Sequence, residues 1–257
     1  MKKSIAFIIT FLIFTYSSGQ TKYGNPEVDL IQIQKDYSSW WTYQIKNIML
    51  SRDFVALDTL SREISKETFL DQLVNGSYIP IRLKSQDSIC YYKLFKIEPN
   101  SDTSIKATIN QEAFDAFKNF KMENTPFPKF SFKDLNENLV SNETMKGKIV
   151  VIKCWYIHCA ACIKEFPDVN QLVEKYKNRE DVLFVSLAED TPEQLKVFLK
   201  RKPLSYSVIP NMKIYMNEIL QLNAFPTHFI INKDGLIAKV VNNYKSLEVA
   251  LEEESKL

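Results

Sequence analysis

Glycine is scarce in this sequence, with five residues among 257, or about 2% against the roughly 7% usual in proteins. No two are spaced to form G-x-G-x-x-G, and Gly19 and Gly24, five positions apart, are followed by Asn25-Pro26 instead of the Lys and Ser or Thr of a Walker loop. The sequence therefore disfavours a backbone cradle for nucleotide phosphates. Only His158 and His228 occur, 70 positions apart, which excludes an H-E-x-x-H metalloprotease. Lys and Arg total 33 against 31 Asp and Glu, so we predict no nucleic-acid partner.

Long apolar runs are also lacking, because the run Ile5–Tyr16 has only 12 residues, against about 20 needed to span a bilayer. Lys2 and Lys3 precede it and small residues follow it, a pattern typical of a secretory signal peptide. We predict a signal peptide over residues 1–19, cut after Gly19, and a periplasmic or otherwise exported protein. The alternative is an uncleaved segment, which would be its only contact with a membrane.

The sequence divides at Met122–Pro128, where two prolines interrupt a helical pattern. We predict a smaller α+β domain of unknown role over residues 20–122 and a second domain over residues 123–257. Adjacent Trp40 and Trp41 are expected in the core of the first. Its predicted elements are helices at Ser65–Leu73 and Gln111–Phe120 and strands at Tyr78–Leu83 and Ile89–Ile97.

The second part alternates strands and helices, which predicts an α/β fold with a mixed sheet flanked by helices. Asp234-Gly235 marks the turn of a terminal hairpin. Its predicted strands are Ile149–Ile152, Val182–Ala188, Thr227–Asn232 and Leu236–Val241, and its predicted helices are Ala160–Tyr176, Thr191–Arg201, Met212–Gln221 and one starting near Ser246.

Cys159 and Cys162 lie where a buried strand gives way to a helix. Three-residue spacing at a helix start places both sulfurs on one turn, within disulfide reach. Unpaired N–H groups there favour the thiolate, which is the attacking species in thiol chemistry. The context predicts Cys159, at the exposed junction, as the nucleophile, and Cys162, one turn further on, as the resolving thiol.

The other cysteines and the histidines leave alternatives open. A zinc site normally needs a second cysteine pair at suitable spacing, and haem attachment needs histidine where Ile163 stands. Cys90 and Cys154 are interpreted as strand residues, with a bridge between them as an alternative. His158 precedes the nucleophile and would favour its thiolate if protonated, but either histidine could equally be an ordinary surface or core residue.

The segment from Trp155 to Pro167 resembles the W-x-x-x-C-x-x-C-x-x-E-x-P signature of the TlpA/ResA-like thioredoxin-fold thiol–disulfide oxidoreductases. The resemblance covers about half of the chain, from about Thr125, and not the N-terminal part. Further matching motifs are Pro128–Leu135, Gly147-Lys148, Phe225-Pro226-Thr227 and Lys233-Asp234-Gly235.

This resemblance implies a thioredoxin-like fold in which Pro226 is cis and packs against the dithiol. The Phe225 backbone would then pair with an extended substrate segment, with Thr227 beside it and Trp155 walling the site. Pro167 would kink the active-site helix, since it cannot donate a hydrogen bond to the carbonyl of Ile163.

Two positions depart from the family pattern. His158 stands where a bulky group such as tryptophan is usual before the nucleophile. Lys153 stands where thioredoxins carry a buried acid, so the usual base is missing. Glu165 is the nearest replacement and could pair with Lys153; alternatively, it is an ordinary solvated carboxylate.

We therefore predict an enzyme in which Cys159 attacks a disulfide of a client protein and Cys162 resolves the mixed disulfide. An upstream thiol reductant, in the membrane or the periplasm, would restore the dithiol, and no metal or other cofactor is expected. The alternative is a copper carrier using Cys159, Cys162 and a histidine. A peroxidase is disfavoured, because neither proline nor threonine precedes Cys159 at the required spacing.

Overall fold

A computed structural model describes residues 22–256, so the predicted signal peptide and its cleavage point lie outside the described residues. Within this range, no helix is both long enough and apolar enough to cross a membrane. Two five-stranded sheets and a short two-stranded hairpin form the framework.

The first sheet is built from the N-terminal half and has the strand order β1-β4-β5-β2-β3. Only β2 and β5 run parallel; the other pairs are antiparallel. The elements are β1 (Tyr23–Pro26), α1 (Leu30–Ile33), α2 (Tyr37–Asn47), β2 (Val55–Leu57), β3 (Glu63–Ile64), α3 (Lys66–Val74), β4 (Tyr78–Ser85), β5 (Tyr91–Lys96) and α4 (Thr103–Met122).

Side-chain caps determine where these helices begin. Ser65 caps α3 by accepting from the Thr68 N–H, as expected for a helix entered by serine. Asp102 caps α4 in the same way, so this helix begins eight residues before its predicted start at Gln111. Trp40 is fully buried in the core between sheet and helices, as predicted, whereas Trp41 is half-buried beside it.

The second sheet has the order β10-β9-β8-β11-β12. Strands β8, β9 and β10 are parallel, and β11 and β12 form the predicted antiparallel hairpin, with Gly235 at positive φ in its turn. The elements are β6 (Ser131–Lys133), β7 (Leu139–Ser141), α5 (Asn142–Met145), β8 (Ile149–Trp155), α6 (Ala160–Lys164), α7 (Phe166–Lys175), β9 (Val182–Ala188), α8 (Pro192–Leu199), β10 (Ser207–Ile209), β11 (Thr227–Ile231), β12 (Ile237–Val241) and α9 (Tyr244–Glu254).

This mixed sheet with flanking helices confirms the predicted fold class. Every residue of β8 is buried, as expected for a central strand covered on both faces. Two of the predicted helices are not regular α-helices in the structure. The helix predicted over Ala160–Tyr176 is divided into α6 and α7 beside Pro167, and the helix predicted over Met212–Gln221 contains a π-helical turn at Tyr215–Ile219.

Helix α4 contacts both sheets. Its first half contributes Ile105, Ile109 and Ala113 to the core of the first sheet, and its second half packs against β12. The chain then continues alongside that edge strand, where the Asn124 N–H donates to the Ile237 carbonyl at 2.8 Å. The division into domains at residue 122 stays a prediction.

Candidate active site

The dithiol lies between the end of β8 and the start of α6. Cys159 is the N-cap of α6, and the structure records it in a disulfide with Cys162, with the two Cα atoms 5.2 Å apart. The Cys162 N–H also donates to Cys159 Sγ at 3.1 Å. Cys159 is 5% exposed and Cys162 is fully buried, so Cys159 is the more exposed of the two residues, although it is not openly exposed as expected.

An aromatic wall supports the dithiol from the protein side. Trp155 is fully buried and packs edge-to-face on Phe166 at 5.0 Å, with Phe198 at 6.0 Å. Both cysteines belong to the same apolar cluster. Trp155 therefore walls the dithiol from the protein side as a buried residue, and its expected role in binding substrate stays a prediction.

The loop before the nucleophile is held by contacts that the sequence motif does not contain. Asp190 accepts a hydrogen bond from the Ile157 N–H at 2.8 Å. Tyr156 packs edge-to-face on Phe225 at 5.5 Å, which joins this loop to the segment before Pro226. His158 is exposed beside the dithiol, as are Ala160 and Ala161, so solvent reaches this side of the site.

The Phe225–Pro226 peptide bond is cis, as the family resemblance implies. Pro226 and Thr227 are buried, and Phe225 is half-buried. The Thr227 hydroxyl donates to the Ala224 carbonyl at 2.7 Å and accepts from Asn242 Nδ2 at 2.9 Å. Its side chain is therefore committed within the protein, and Phe225 is the accessible residue of this motif.

Glu165 is not an ordinary solvated carboxylate. Its Oε2 accepts from Lys153 Nζ at 2.7 Å and from His228 Nε2 at 3.1 Å, and its Oε1 accepts from the Tyr244 N–H at 2.7 Å. Lys153 and His228 face each other across β8 and β11, and both are fully buried. The expected pairing of Glu165 with Lys153 is present, and His228 completes the cluster.

Glu165 is held ionised by its neighbours. Burial raises the pKa of Glu165, but the hydrogen bond from His228, the charge that His228 takes up in acid and the ammonium of Lys153 outweigh burial and bring it to about 2. Burial lowers the pKa of Lys153 from its ordinary value against the opposing effect of Glu165. Burial also lowers the pKa of His228, to about 4, so neutral His228 donates through Nε2 while its Nδ1 has no partner.

The remaining cysteines are free and buried, which removes the alternative of a bridge between them. Cys154 lies within β8 in the core of the second sheet, and burial raises the pKa of its thiol. Cys90 lies in the core of the first sheet, directly before β5 rather than within a strand as expected. Neither thiol belongs to the cluster around the dithiol.

Among residues 22–256, no group of three or more His, Cys, Asp and Glu side chains is placed to hold a metal ion. Two cavities of roughly 500 Å³ border α4. One lies between α2, α4 and the end of β12, and the other lies between α4 and the π-helical turn. Neither is lined by Cys159 or Cys162.

These features define a thioredoxin-like dithiol protein, and comparison with known proteins agrees. The model of the AhpC/TSA family matches residues 124–240. A thiol-disulfide oxidoreductase ResA from Bacillus thuringiensis subsp. konkukian is 30% identical over 121 residues, which cover 47% of this chain and 70% of that protein. The chain therefore belongs to the TlpA/ResA-like family of thioredoxin-fold proteins, a family of thiol–disulfide oxidoreductase enzymes.

Other similar proteins carry the same description. A thiol-disulfide oxidoreductase ResA from Bacillus cereus is 29% identical over 114 residues, 44% of this chain and 66% of that protein. The solved structure of a thiol-disulfide oxidoreductase from Bacteroides fragilis is 16% identical, with a TM-score of 0.46, and the match covers 50% of this chain and 98% of that one. This chain thus spans about two thirds of the length of the curated relatives.

Sequence reasoning did not identify Tyr156, Asp190 or Asn242 as parts of the site. Asp190 follows β9 and reaches the active-site loop because β8 and β9 are parallel neighbours, which brings their carboxyl ends to the same edge. Asp190 could therefore have been predicted from its place just after a strand parallel to β8. Tyr156 stands inside the signature at a variable position, and Asn242 lies outside every motif.

Proposed function

We propose that this protein is an exported thiol–disulfide oxidoreductase that reduces disulfides of client proteins through Cys159 and Cys162. The observation that carries the proposal is the difference between the two cysteines, because Cys159 keeps 5% exposure whereas Cys162 is fully buried, and Cys159 Sγ accepts the Cys162 N–H. A hydrogen bond to a thiolate stabilises it, so in the reduced protein the same N–H would activate Cys159, the more exposed of the two cysteines. In this proposal the dithiol itself carries the electrons, so the reaction requires no further cofactor.

The reaction begins with the reduced dithiol. The Cys159 thiolate attacks one sulfur of the client disulfide, forming the mixed disulfide while the second client sulfur leaves as a thiolate and takes a proton. The Cys162 thiolate then attacks Cys159 Sγ, and the first client sulfur leaves and is protonated. Two electrons pass to the client, which ends as a dithiol, and the protein ends with a Cys159–Cys162 disulfide. An upstream thiol reductant returns two electrons to it.

The client is held beside the nucleophile by the segment before Pro226. The half-buried Phe225, joined to Tyr156 by its edge-to-face contact, leaves a backbone edge next to the dithiol on which an extended client strand can pair. Backbone hydrogen bonds do not depend on the client's side chains. We therefore expect clients that have in common a disulfide in an extended segment, and not a common sequence.

In this proposal Glu165 links three elements through hydrogen bonds and does not accept the proton. Its carboxylate oxygens already accept three hydrogen bonds, from β8, β11 and the start of α9. Its lowered pKa, about 2, makes it a weak base at neutral pH. Protons therefore exchange with solvent on the exposed side of His158 and Ala160.

The reaction is tested with insulin as a disulfide-bonded protein probe and dithiothreitol as the electron donor. Wild-type protein accelerates insulin reduction, and Cys159→Ser abolishes that acceleration. Cys162→Ser accumulates a mixed disulfide that peptide mass spectrometry places on Cys159. Cys90→Ala, in the core of the other sheet, is the matched control and retains activity. Wild-type protein that reduces insulin no faster than Cys159→Ser contradicts the proposal.

Direction and location have their own tests. Equilibration of the dithiol with glutathione buffers measures its reduction potential, and a value near the roughly −120 mV of a strong oxidant contradicts the reductase direction. Recovery of mature protein beginning at Gln20 in an exported fraction supports the signal peptide, and full-length protein in the cytoplasm contradicts it. Stoichiometric Cu(I) binding without insulin reduction would support the copper carrier instead.

A further inference from the structure

The segment that presents Phe225 and Pro226, residues 221–226, is held by two adjacent residues of α4. Lys118 Nζ donates to the Gln221 carbonyl at 2.5 Å and to Asn223 Oδ1 at 3.3 Å. Asn119 Nδ2 donates to Asn242 Oδ1 at 2.6 Å, just after β12. We call residues 221–226 the proline loop. Helix α4 thus contacts the start of this loop directly and its end through Asn242.

Asn242 completes the link to the end of the proline loop. Its Nδ2 group donates to the Pro226 carbonyl at 3.3 Å and to Thr227 Oγ1 at 2.9 Å. The Thr227 hydroxyl in turn donates to the Ala224 carbonyl at 2.7 Å. An unbroken hydrogen-bonded chain therefore runs from Asn119 to the backbone on both sides of the Phe225–Pro226 peptide.

Asn119 also determines which way round the Asn242 amide lies. A side-chain amide has one acceptor oxygen and one donor nitrogen, and here both Nδ2 hydrogens and Oδ1 are used. Without the Asn119 donor, nothing on α4 requires Asn242 Oδ1 to face away from the loop. A flipped amide would place its oxygen against the Pro226 carbonyl and lose that bond, and it could keep a bond to Thr227 only if the hydroxyl turned away from the Ala224 carbonyl.

Helix α4 is itself fixed within the N-terminal half. Ile105, Ile109 and Ala113 are buried in the first core. Gln44 Nε2 on α2 donates to Glu112 at 2.8 Å, and Lys121 pairs with Glu67 on α3 at 2.9 Å. The position of Lys118 and Asn119 is therefore set by the packing of residues 22–122 and not by the thioredoxin-like sheet alone.

Beyond α4, Lys239 on β12 ties the two halves together. Its Nζ reaches Asp53 of the N-terminal half at 2.7 Å, and Glu123, directly after α4, at 3.1 Å. The contact with Asp53 holds the edge strand against the N-terminal half. Asn242 follows directly on β12, so the same contacts fix the base of the link to the proline loop.

We propose that Lys118 and Asn119 are positioning residues for the exchange reaction, and that the N-terminal half serves to hold the proline loop in its client-binding geometry. This inference rests on the proposed function for its effect on catalysis, but the holding of the loop does not depend on that function. The alternative is a separate module that selects the client, in which case these two side chains would be dispensable for a generic disulfide.

The experiment compares two probes of different size in full-length protein. Insulin presents its disulfides on a polypeptide that must pair with the loop, whereas 5,5′-dithiobis(2-nitrobenzoic acid) has no peptide backbone. Loss of one hydrogen bond is worth about two- to tenfold in affinity. We expect Asn119→Ala to raise KM for insulin about fivefold with kcat within about twofold, and its rate with the small disulfide to stay unchanged.

Three further variants sharpen the result. Asn119→Asp replaces the donor by an acceptor facing Asn242 Oδ1 and should have the larger effect on KM, and Lys118→Met should add to Asn119→Ala. Lys106→Ala, exposed on the same helix, is the matched control and should behave as wild type. An insulin KM within twofold of wild type in Asn119→Asp overturns the proposal, as does an equal loss with both probes.

Hydrogen–deuterium exchange separates this inference from the proposed function. In Asn119→Asp, amides of residues 221–227 should exchange at least fivefold faster, while those of β8 keep the wild-type rate. Unchanged exchange in the loop overturns the inference whatever the enzyme does. Faster loop exchange in a protein that never reduces insulin upholds the holding role and refutes the proposed function instead.

Discussion

Replacing Glu165 by alanine removes the acceptor for three buried donors at once. Lys153 is left as a fully buried ammonium group with no counterion, and the His228 Nε2–H and Tyr244 N–H lose their partner. Removing one member of a buried ion pair costs about 3–5 kcal/mol, because the remaining charge is uncompensated. We expect Glu165→Ala to lose about 4 kcal/mol of unfolding free energy at pH 7.

Removing the other member has a smaller effect. In Lys153→Met the apolar side chain suits a fully buried position, and Glu165, with 13% of its side chain exposed, keeps its bonds from His228 and Tyr244. The charge left on Glu165 is partly exposed and still hydrogen-bonded, so it is better compensated than a fully buried unpaired charge, and we expect a loss below about 3 kcal/mol.

The double variant distinguishes this explanation from simple loss of packing. Lys153→Met in the Glu165→Ala background removes the uncompensated charge, so the double variant should be about 2 kcal/mol more stable than Glu165→Ala. Urea unfolding of the oxidised proteins, followed by circular dichroism, measures all three differences. A double variant less stable than Glu165→Ala would refute the reasoning, because the two losses would then simply add.

Two further predictions concern buried titratable groups. His228 has a folded pKa of about 4 against an ordinary 6.5, so the unfolded chain binds the extra proton and stability falls as the pH falls through this interval. Between pH 7 and pH 4 the wild type should lose about 3 kcal/mol more than His228→Gln in urea unfolding, and equal losses would contradict the assignment. Cys90 and Cys154 should resist iodoacetamide in the folded protein and react in urea; labelling of Cys154 at the rate of Cys159 in the reduced folded protein would contradict its burial.

The second half of the chain was the more predictable from sequence. Three features of the site depend on local geometry, and each has a signature of a few residues. The dithiol depends on its place at a helix start, Pro167 on its missing N–H, and Pro226 on its X-Pro bond. The broken active-site helix and the cis peptide at Pro226 are both present. The hairpin at the end of the sheet is equally local, since Asp234-Gly235 determines its turn.

Other features depend on contacts distant in sequence. Asn119 and Asn242 are 123 positions apart, and no local pattern relates them. His228 joins Glu165 only because β11 pairs with β8 in one register. The start of α4 was missed although Ile105, Ile109 and Ala113 recur at helical spacing, and the Asp102 cap determines where the helix begins. The burial of Trp155 follows from its packing on Phe166, which the motif alone does not specify.

The most direct test of the roles given to Cys159 and Cys162 is the order in which they are alkylated in the reduced protein. Brief treatment with iodoacetamide at pH 7, followed by peptide mass spectrometry, measures the fraction of each sulfur that has reacted. Cys159, the more exposed of the two and the one whose sulfur accepts the Cys162 N–H, should be labelled at least tenfold faster than the fully buried Cys162. Equal labelling of the two, or faster labelling of Cys162, would contradict the assignment of Cys159 as the attacking thiol.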